Sequence, residues 1–321
     1  MTTTAATSAA AIAPEEVDLG VDLCGVSLPN PVMTASGCAA AGRELDQFFD
    51  VSELGAIVTK SIMLNPRSGR PTPRMAETPS GMLNSIGLQG PGIDAFLARD
   101  LPWLVQRGAR AIVSIAGDKP ADYVELARRV GQAPGVAAIE VNISCPNVEN
   151  RGLVFACDPE SSYRVLDEVR PHIPDGIPVF AKLTPDVTDI AGIAGAVSDA
   201  GADGVTVINT LLGITMDPDT LRPRLGGITG GLSGPAVRPV AVRAVWQIRK
   251  ALPDLPIIGV GGIRTGFDAL EFILAGALAV QVGTVIFNDP GAPMRVVREL
   301  QDELARRGIR SLNEVRGAAH G

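Results

Sequence analysis

Eight short runs of β-branched and other apolar residues recur along the chain, and each is followed by a stretch with helical spacing of apolar residues. Strands that alternate with helices predict a parallel sheet, because each crossover helix returns the chain to the same edge. Eight such units in about 250 residues is the size of a closed (β/α)8 TIM barrel. The predicted strands are residues 31–36, 56–60, 111–116, 137–143, 178–182, 204–209, 256–260 and 278–283.

The predicted helices alternate with the predicted strands. This alternation is also compatible with one fold other than the barrel. They are residues 44–54, 93–107, 121–130, 159–170, 189–200, 235–252, 267–275 and 292–307. A doubly wound sheet would also alternate, but no G-x-G-x-x-G motif opens the first strand–helix unit, which disfavours it. We therefore predict one TIM-barrel domain over residues 17–321, preceded by a disordered tail over residues 1–16.

Three strand-to-helix connections are unusually long: residues 61–92, 144–158 and 210–234. Loops of this length in a compact domain are usually functional. In a barrel, all strand-to-helix loops emerge on the face that carries active sites. The sequence therefore predicts an active site at the C-terminal rim.

The composition restricts the kind of ligand. A net charge of −7 and a pI near 5.0 disfavour nucleic-acid binding, which requires a clustered positive field. The first residues lack a basic segment followed by an apolar core, and no apolar run reaches membrane-spanning length without Gly, Pro or a charge. We expect a cytoplasmic protein with a small-molecule substrate and no membrane or nucleic-acid partner.

Cysteine and histidine are scarce, which bears on metal chemistry. The chain has four cysteines, none in C-x-x-C spacing, and two histidines. A disulfide framework, a zinc site or a catalytic triad has little material to form from. We predict no metal site.

Glycines follow the last two predicted strands, in Gly259-Val-Gly261-Gly262 and Gly283-Thr284. Barrels often bind a phosphate with these two loops, where glycines let backbone N–H groups approach the anion. The alternative is that the glycines only form tight turns. Their placement favours a phosphate site.

The fourth predicted strand ends in a polar sequence, Glu140-Val-Asn142-Ile-Ser-Cys145. Strand alternation places Glu140 and Asn142 on one face and the aliphatic residues on the other. If the aliphatic face packs against the helices, Asn142 points into the top of the barrel. Cys145 then begins the long loop above the strand end.

Two more asparagines belong to the predicted rim. Asn209 ends the sixth strand and Asn84 lies in the first long loop. Carboxamides both donate and accept, so several that converge suit a flat ring with alternating N–H and C=O groups, such as a pyrimidine. The alternative for each asparagine alone is a turn or a strand-end cap.

Lys60 and Lys182 end the second and fifth predicted strands, each after an apolar run that would bury its stem. A buried lysine needs a partner, and the candidates are a cofactor ring oxygen, a substrate carboxylate or Glu140. The alternative is a pair of surface lysines with partly buried stems. Strand ends carry the chemistry in this fold, which favours function for both.

Jointly, these motifs resemble the class 1 dihydroorotate dehydrogenases over nearly the whole chain, from about residue 17 to residue 307. The matching stretches are Asn30-Pro-Val-Met-Thr-Ala-Ser36-Gly, Thr59-Lys60-Ser61, Asn84-Ser-Ile-Gly-Leu-Gln89, Asn142-Ile-Ser-Cys145-Pro-Asn147, Ala181-Lys182-Leu-Thr-Pro, Ile208-Asn209-Thr210, Gly230-Gly-Leu-Ser-Gly234, Gly261-Gly262 and Gly283-Thr284. Any one stretch alone is a weak signal, whereas the set is specific.

The resemblance implies a flavoprotein oxidoreductase that oxidises dihydroorotate to orotate in de novo pyrimidine biosynthesis. It implies that FMN N5 takes the hydride from C6 and that Cys145 takes the proton from C5. Lys60 is the second catalytic residue that it implies. The FMN contacts that it implies are Ser36, Lys60, Ser61, Ser114, Asn142, Lys182, Ile208, Gly234, Gly261, Gly262, Gly283 and Thr284. The implied pyrimidine contacts are Lys60, Asn84, Ser85, Ile86, Gly87, Leu88, Asn142, Asn209 and Thr210.

Two details refine the resemblance. The short loop after Cys145 is similar to the class 1B branch, which implies a separate subunit with FAD and a [2Fe–2S] cluster, in a homodimeric core or a heterotetramer. Ser114 stands where the family usually has asparagine, so a flavin contact is lost or shortened there. Ser114 and the stretch Phe-Ala-Lys182-Leu-Thr-Pro also resemble the dihydropyrimidine dehydrogenases.

Other functions stay open at this point. A related flavoenzyme that acts on uracil-like or thymine-like rings is the nearest alternative. A non-redox isomerase or lyase would use the glycine loops only to hold a substrate phosphate. A binding or scaffold subunit would take up flavin without reacting with a dihydropyrimidine. A tRNA-reducing flavoenzyme shares the fold, but the acidic balance disfavours it.

Overall fold

The computed structural model describes residues 10–144 and 155–321 of the 321-residue chain. Its strands are β1 (Val21–Leu23), β2 (Val26–Leu28), β3 (Val32–Thr34), β4 (Ile57–Val58), β5 (Met75–Thr78), β6 (Gly81–Asn84), β7 (Ala111–Ile115), β8 (Val136–Asn142), β9 (Val179–Leu183), β10 (Gly204–Val207), β11 (Leu211–Gly213), β12 (Gly230–Ser233), β13 (Ile257–Val260) and β14 (Ala279–Val282). All eight predicted barrel strands form, with ends within two residues of the predicted ones.

Eight parallel strands form the barrel in the order β3-β14-β13-β10-β9-β8-β7-β4. A parallel bridge between Met33 and Ala56 closes the ring between β3 and β4. The Thr34 hydroxyl reinforces this seam, because it accepts from Val58 N at 3.0 Å and lies 3.2 Å from Val58 O. The predicted TIM barrel is confirmed.

Helices connect the strands on the outside of the barrel. They are α1 (Ile93–Ala95), α2 (Leu101–Gln106), α3 (Pro120–Gly131), α4 (Pro159–Val169), α5 (Ile190–Asp199), α6 (Arg238–Ala251), α7 (Gly266–Leu274) and α8 (Ala292–Ala305). Side-chain caps on backbone N–H groups begin several of them, such as Asp158 on α4 and Thr265 on α7. Between α1 and α2 lies a π-helical turn, Phe96–Asp100. Pro102, in the first turn of α2, has no N–H to continue an α-helical hydrogen-bond pattern across this turn.

The predicted helix over residues 44–54 is wrong. The segment forms two short 3-10 turns, Leu45–Gln47 and Val51–Glu53. Asp50 separates them in an extended conformation, and its carboxylate accepts from Ser52 N. Asp competes in this way with helical backbone hydrogen bonds, which explains the break.

A β-hairpin lies against the N-terminal ends of the barrel strands. Strands β1 and β2 pair antiparallel, and Leu23 and Leu28 are fully buried. The Cys24 thiol lies 3.6 Å from the carbonyl oxygen of Asp203, just before β10. Pro14–Glu16 forms a 3-10 turn, whereas residues 1–9 of the predicted tail lie outside the described residues.

Two of the long rim loops combine into a second sheet. Strands β5 and β6 come from the loop over residues 61–92, and β11 and β12 come from the loop over residues 210–234. They pair in the order β11-β12-β6-β5, and every pairing is antiparallel. We call these four strands the rim sheet. The sequence predicts irregular loops here, and the structure corrects that prediction.

Candidate active site

The upper half of the barrel interior carries polar side chains. Glu140 is in register with Ser114, and Lys182 is in register with both Asn142 and Thr206. Register neighbours on parallel strands point to the same face of the sheet. All five side chains are buried. The strand alternation predicted for β8 therefore produces an inward polar layer just below the rim.

An ion pair stands at the centre of this layer. Lys182 Nζ lies 3.8 Å from Glu140 Oε1 and donates to Ser36 Oγ at 2.6 Å. Gln281 Nε2 donates to Glu140 Oε2 at 3.0 Å. A buried carboxylate is tolerated only when charges and hydrogen bonds surround it, which this one has. Glu140 is one of the three partners predicted for Lys182.

Hydrogen bonds lead from Glu140 up to the rim. The hydroxyl of Ser114 donates to Glu140 Oε1 at 3.0 Å, and the hydroxyls of Ser61 and Ser114 lie 2.9 Å apart. Asn142 Nδ2 donates to Ser61 Oγ at 3.0 Å. Predicted FMN contacts on three strand ends thus belong to one connected polar network.

A second amide joins this network at the strand ends. Ser144 Oγ donates to Asn142 Oδ1 at 2.7 Å. Asn209 Nδ2 donates to Ser144 Oγ at 2.5 Å and lies 3.4 Å from Asn142 Oδ1. Thr210 N donates to Asn209 Oδ1 at 2.7 Å. The structure therefore brings together the predicted contacts Asn142, Asn209 and Thr210.

The rim sheet brings Asn84 to the same place. Asn84 Nδ2 lies 3.4 Å from the carbonyl oxygen of Gly231 on β12. Thr210 packs so closely on Gly231 that a side chain there would collide with it. The other predicted pyrimidine contacts, Ser85, Ile86, Gly87 and Leu88, follow directly in the loop after β6, with positive φ angles at Gly87 and Leu88.

Lys60 lies in the same region as Lys182. Lys60 follows β4, and its backbone N donates to the carbonyl oxygen of Ala40 at 2.8 Å. Burial raises the pKa of the Cys38 thiol, while the positive charges of Lys182 and Lys60 act to lower it. Both ammonium groups are therefore close to this thiol, in the loop after β3. Nothing in the sequence pattern identifies Cys38.

Glycines from three loops meet at the predicted phosphate end. Gly262 has a φ of +74°, and a Cβ there would lie 2.6 Å from the carbonyl oxygen of Gly234. Thr284 Oγ1 donates to Ser233 Oγ at 2.8 Å, next to Gly234. A Cβ on Gly283 would lie 3.2 Å from Cys38 Sγ, which links this end to the lysines. Close backbone approach of this kind requires glycine at position 262.

The remaining predicted FMN contacts lie around the same glycines. Ile208 N donates to the carbonyl oxygen of Val260 at 3.0 Å, just before Gly261. Among the turn and loop hydrogen bonds of the described residues, none uses the backbone N–H of Gly262, Gly283 or Thr284. Unclaimed N–H groups at the ends of β13 and β14 are suited to bind an anion.

Some site residues escape the sequence prediction, and one predicted residue cannot be compared. Gln281 and Tyr123 both contact the network, the latter through a bond of 2.9 Å to the carbonyl oxygen of Asn142. The only signal for Gln281 is that it interrupts an apolar strand. Cys145 lies outside the described residues, so its role as the base stays a prediction.

Two general searches cover the described part of the chain. No group of three or more His, Cys, Asp or Glu side chains is arranged there to hold a metal ion. None of its helices combines the length and apolar character needed to cross a bilayer.

Comparison with known proteins decides the family. Residues 18–304 match the sequence profile of the family described as dihydroorotate dehydrogenase. This chain belongs to the dihydroorotate dehydrogenase family. The match includes all eight barrel strands and both halves of the rim sheet.

Individual relatives within the dihydroorotate dehydrogenase family are similar over almost their full length. The chain is 50% identical over 304 residues to the "dihydroorotate dehydrogenase B (NAD(+)), catalytic subunit" of Geobacter sulfurreducens, covering 95% of this chain and 99% of that protein. Proteins of the same name from Desulforudis audaxviator and Listeria innocua are 50% and 48% identical, covering 95% and 93% of this chain and 98% and 97% of the relatives. The predicted resemblance to the 1B branch is confirmed.

Proposed function

We propose that this chain oxidises dihydroorotate to orotate in pyrimidine biosynthesis, with FMN as its bound cofactor. Dihydroorotate dehydrogenases are flavoenzymes. The observation that carries the proposal is the convergence of Asn84, Asn142 and Asn209 above the buried pair of Lys182 and Glu140. These amides offer the donors and acceptors that a dihydropyrimidine ring requires.

The donor set also fits FMN. The backbone N–H groups of Gly262 and Gly283 take no part in the described turn and loop hydrogen bonds, which suits its phosphate. In the inner layer, Thr206 Oγ1 and Gln281 Oε1 are buried without a hydrogen-bond partner among the described residues, as expected beside a polar ligand. The residues that we propose to hold FMN are Ser36, Lys60, Ser61, Ser114, Asn142, Lys182, Ile208, Gly234, Gly261, Gly262, Gly283 and Thr284.

The protein's own side chains and backbone groups bind and orient the pyrimidine. We assign this role to Lys60, Asn84, Ser85, Ile86, Gly87, Leu88, Asn142, Asn209 and Thr210. Bound FMN would supply the electron acceptor for the hydride that leaves C6. Lys60 offers a positive charge to the substrate carboxylate, and Cys145 takes the proton from C5, which is acidic because a carbonyl group lies next to it.

We extend the proposal to the partner and the domain organisation. The relatives are named as catalytic subunits of an NAD(+) enzyme, which implies a further subunit in those proteins. For this chain we propose a partner that carries FAD and a [2Fe–2S] cluster, in a heterotetramer built on a homodimeric core. Residues 17–321 would supply the single catalytic domain.

Anaerobic mixing with dihydroorotate tests the proposed function. The flavin absorption band of the purified protein should bleach within the mixing time and return when an oxidant is added. Dihydrouracil and dihydrothymine serve as matched substrates, and bleaching by either of these alone would reassign the enzyme to a related dihydropyrimidine dehydrogenase. Protein without a flavin band, even after FMN is supplied, would instead favour a non-redox barrel.

The role of Cys145 has its own test. Cys145→Ser should keep the flavin band and lose on the order of 10²–10⁴-fold in turnover, the usual contribution of a general base. Cys157→Ser removes an exposed thiol in the same region of the chain and should keep near wild-type turnover. Because a free thiol has a pKa of about 8.5, wild-type turnover should rise with pH. Full turnover of Cys145→Ser at neutral pH would exclude this thiol as the base.

A further inference from the structure

The hydrogen bonds between Glu140 and Asn142 can run in one direction only. A carboxylate accepts and cannot donate, so the hydroxyl hydrogen of Ser114 points to Glu140. Ser114 then has only its lone pairs to offer Ser61, and the Ser61 hydroxyl must donate to it. Ser61 in turn accepts from Asn142 Nδ2. The order of donation is therefore Asn142 to Ser61 to Ser114 to Glu140.

This direction fixes the amide of Asn142. Its Nδ2 is turned toward Ser61, and its Oδ1 accepts from Ser144 Oγ and lies near Asn209 Nδ2. If this row of hydrogen bonds ran the other way, Ser61 would donate to Asn142, and the Asn142 amide would have to rotate by half a turn. Rotation would bring Asn142 Nδ2 against the donors on Ser144 and Asn209. The contacts of Asn142 Oδ1 with Ser144 Oγ and Asn209 Nδ2 would then be lost.

Donors and a cation surround the carboxylate of Glu140. It is fully buried, and its contacts in the described part of the chain are the Ser114 hydroxyl, the Gln281 amide nitrogen and the Lys182 ammonium. Each of these is a donor or a cation. Hydrogen bonds to a charged acceptor are stronger than neutral ones, so this end of the chain sets the direction for the rest.

We propose that Glu140 is a positioning residue for the oxidation of the pyrimidine. Through Ser114 and Ser61, it determines which end of the Asn142 amide faces the ring, and through its charge it holds Lys182 beside Ser36. The inference rests on the proposed function, because it names what the oriented amide is for. Glu140 acts through these residues rather than on the substrate itself.

Ser114 is the link that a substitution can break or replace. Alanine at this position removes both the donor to Glu140 and the acceptor for Ser61. Asparagine, the residue usual in the family at this position, offers an amide N–H to Glu140 and a carbonyl oxygen to Ser61, so the direction of the chain is preserved. Serine and asparagine are thus equivalent for positioning, although they differ in size.

Binding of orotate to the FMN-loaded protein tests the link. Titration followed by the change in flavin absorption should give a dissociation constant about tenfold higher for Ser114→Ala than for the wild type, comparable to the loss of one hydrogen bond. Ser114→Asn should lie within about threefold of the wild type. Equal affinities in all three proteins, with matched melting temperatures, would overturn the proposal.

Glu140→Gln tests the charge separately. It removes the negative partner of Lys182. Because a glutamine amide can donate as well as accept, it also allows the hydrogen bonds from Asn142 to position 140 to reverse their direction. The midpoint potential of bound FMN should rise, because an uncompensated positive charge favours the reduced flavin, and orotate should bind more weakly. Ser114→Ala leaves the ion pair of Lys182 and Glu140 in place, so it should raise the potential less than Glu140→Gln does. A potential and an orotate affinity that both match the wild type would exclude a positioning role.

Ser61→Ala covers the case in which Glu140→Gln does not fold. It interrupts the hydrogen bonds beside Asn142 and leaves the ion pair in place, so orotate binding should weaken and the potential should rise less than in Glu140→Gln. Its effect and that of Ser114→Ala should be non-additive in the double variant, because both break one chain. If the wild type neither binds orotate nor bleaches with dihydroorotate, the proposed function fails. Two measurements would then still decide whether Glu140 orders the network. One is the midpoint potential of bound FMN, and the other is the non-additivity of Ser61→Ala and Ser114→Ala in the free energy of unfolding.

Discussion

The two ends of the barrel interior hold opposite kinds of side chain. The N-terminal end is covered by the apolar hairpin, in which Leu23 and Leu28 are fully buried. The C-terminal end holds the ion pair of Lys182 and Glu140 with its attached hydrogen bonds. Apolar burial stabilises the fold at roughly 25 cal/mol per Å², whereas a buried ion pair contributes little net stability. The first end therefore keeps the barrel folded, and the second keeps it functional.

Lys182→Met should have the largest effect, because it leaves Glu140 buried without its cation. The free energy of unfolding should fall by about 3–5 kcal/mol, and FMN should bind more weakly. The double variant Lys182→Met/Glu140→Gln removes both charges and should regain most of the stability but not the affinity for FMN. Denaturant unfolding and flavin titration measure the two quantities. A double variant no more stable than the single one would contradict this account of the polar end.

Leu23→Ala should have a smaller effect and act on stability alone. Loss of a fully buried leucine should cost about 2–4 kcal/mol, while the dissociation constant of FMN and the KM for dihydroorotate stay unchanged. Leu221→Ala is the matched control, because Leu221 is 81% exposed and its loss should change stability by no more than about 0.5 kcal/mol. A clear rise in KM for Leu23→Ala would mean that the two ends are coupled.

Gly262→Ala should weaken FMN binding roughly tenfold, since strain of this kind costs about 1–3 kcal/mol. The added methyl group would meet the carbonyl oxygen of Gly234 at 2.6 Å. Gly176→Ala is a close control, because Gly176 has a φ of +87°, lies just before β9 at the opposite end, and has nothing within 4 Å of an added Cβ. Its stability should fall while FMN affinity stays constant. Equal FMN affinities in the two variants would argue against a phosphate site at Gly262.

The smallest effect concerns the hairpin at the apolar end. Burial first, and then the charges of Asp203 and Asp22, raise the pKa of Cys24 from 9.0 to about 12. Below pH 9 both the folded and the unfolded thiol keep the proton; between pH 9 and 12 the unfolded one loses it first, so stability falls as pH rises. Cys24→Ser should flatten this fall in unfolding experiments at pH 8 and pH 10. An unchanged slope would mean that the thiol is not held protonated in the fold.

The barrel strands are predictable because each is a short apolar run with clear boundaries. The strand that ends in Glu140 and Asn142 even predicts which side chains face inward, since alternation fixes the face. Asn142, Asn209 and the two lysines follow from their position at strand ends, and Asn84 from its place in a long rim loop. Local pattern therefore suffices wherever a side chain's place depends only on its own strand.

Features that depend on distant partners are not predictable in this way. The rim sheet pairs residue 84 with residue 231, and its strands of three or four residues carry no strong pattern. The contact between Gln281 and Glu140 spans 141 residues, and only the closure of the barrel brings them together. The failed helix over residues 44–54 has a local cause, the Asp50 cap, that the apolar spacing conceals.

The rim sheet also limits how this enzyme can be altered by engineering. Its central pair, β6 and β12, joins two insertions that lie more than a hundred residues apart in the chain. A loop graft that replaces one insertion alone would leave the other with unpaired backbone groups, beside Asn84 or beside Thr210. Substrate range would therefore change by exchanging both insertions as a matched set, and recombination between relatives should succeed only when both come from the same parent.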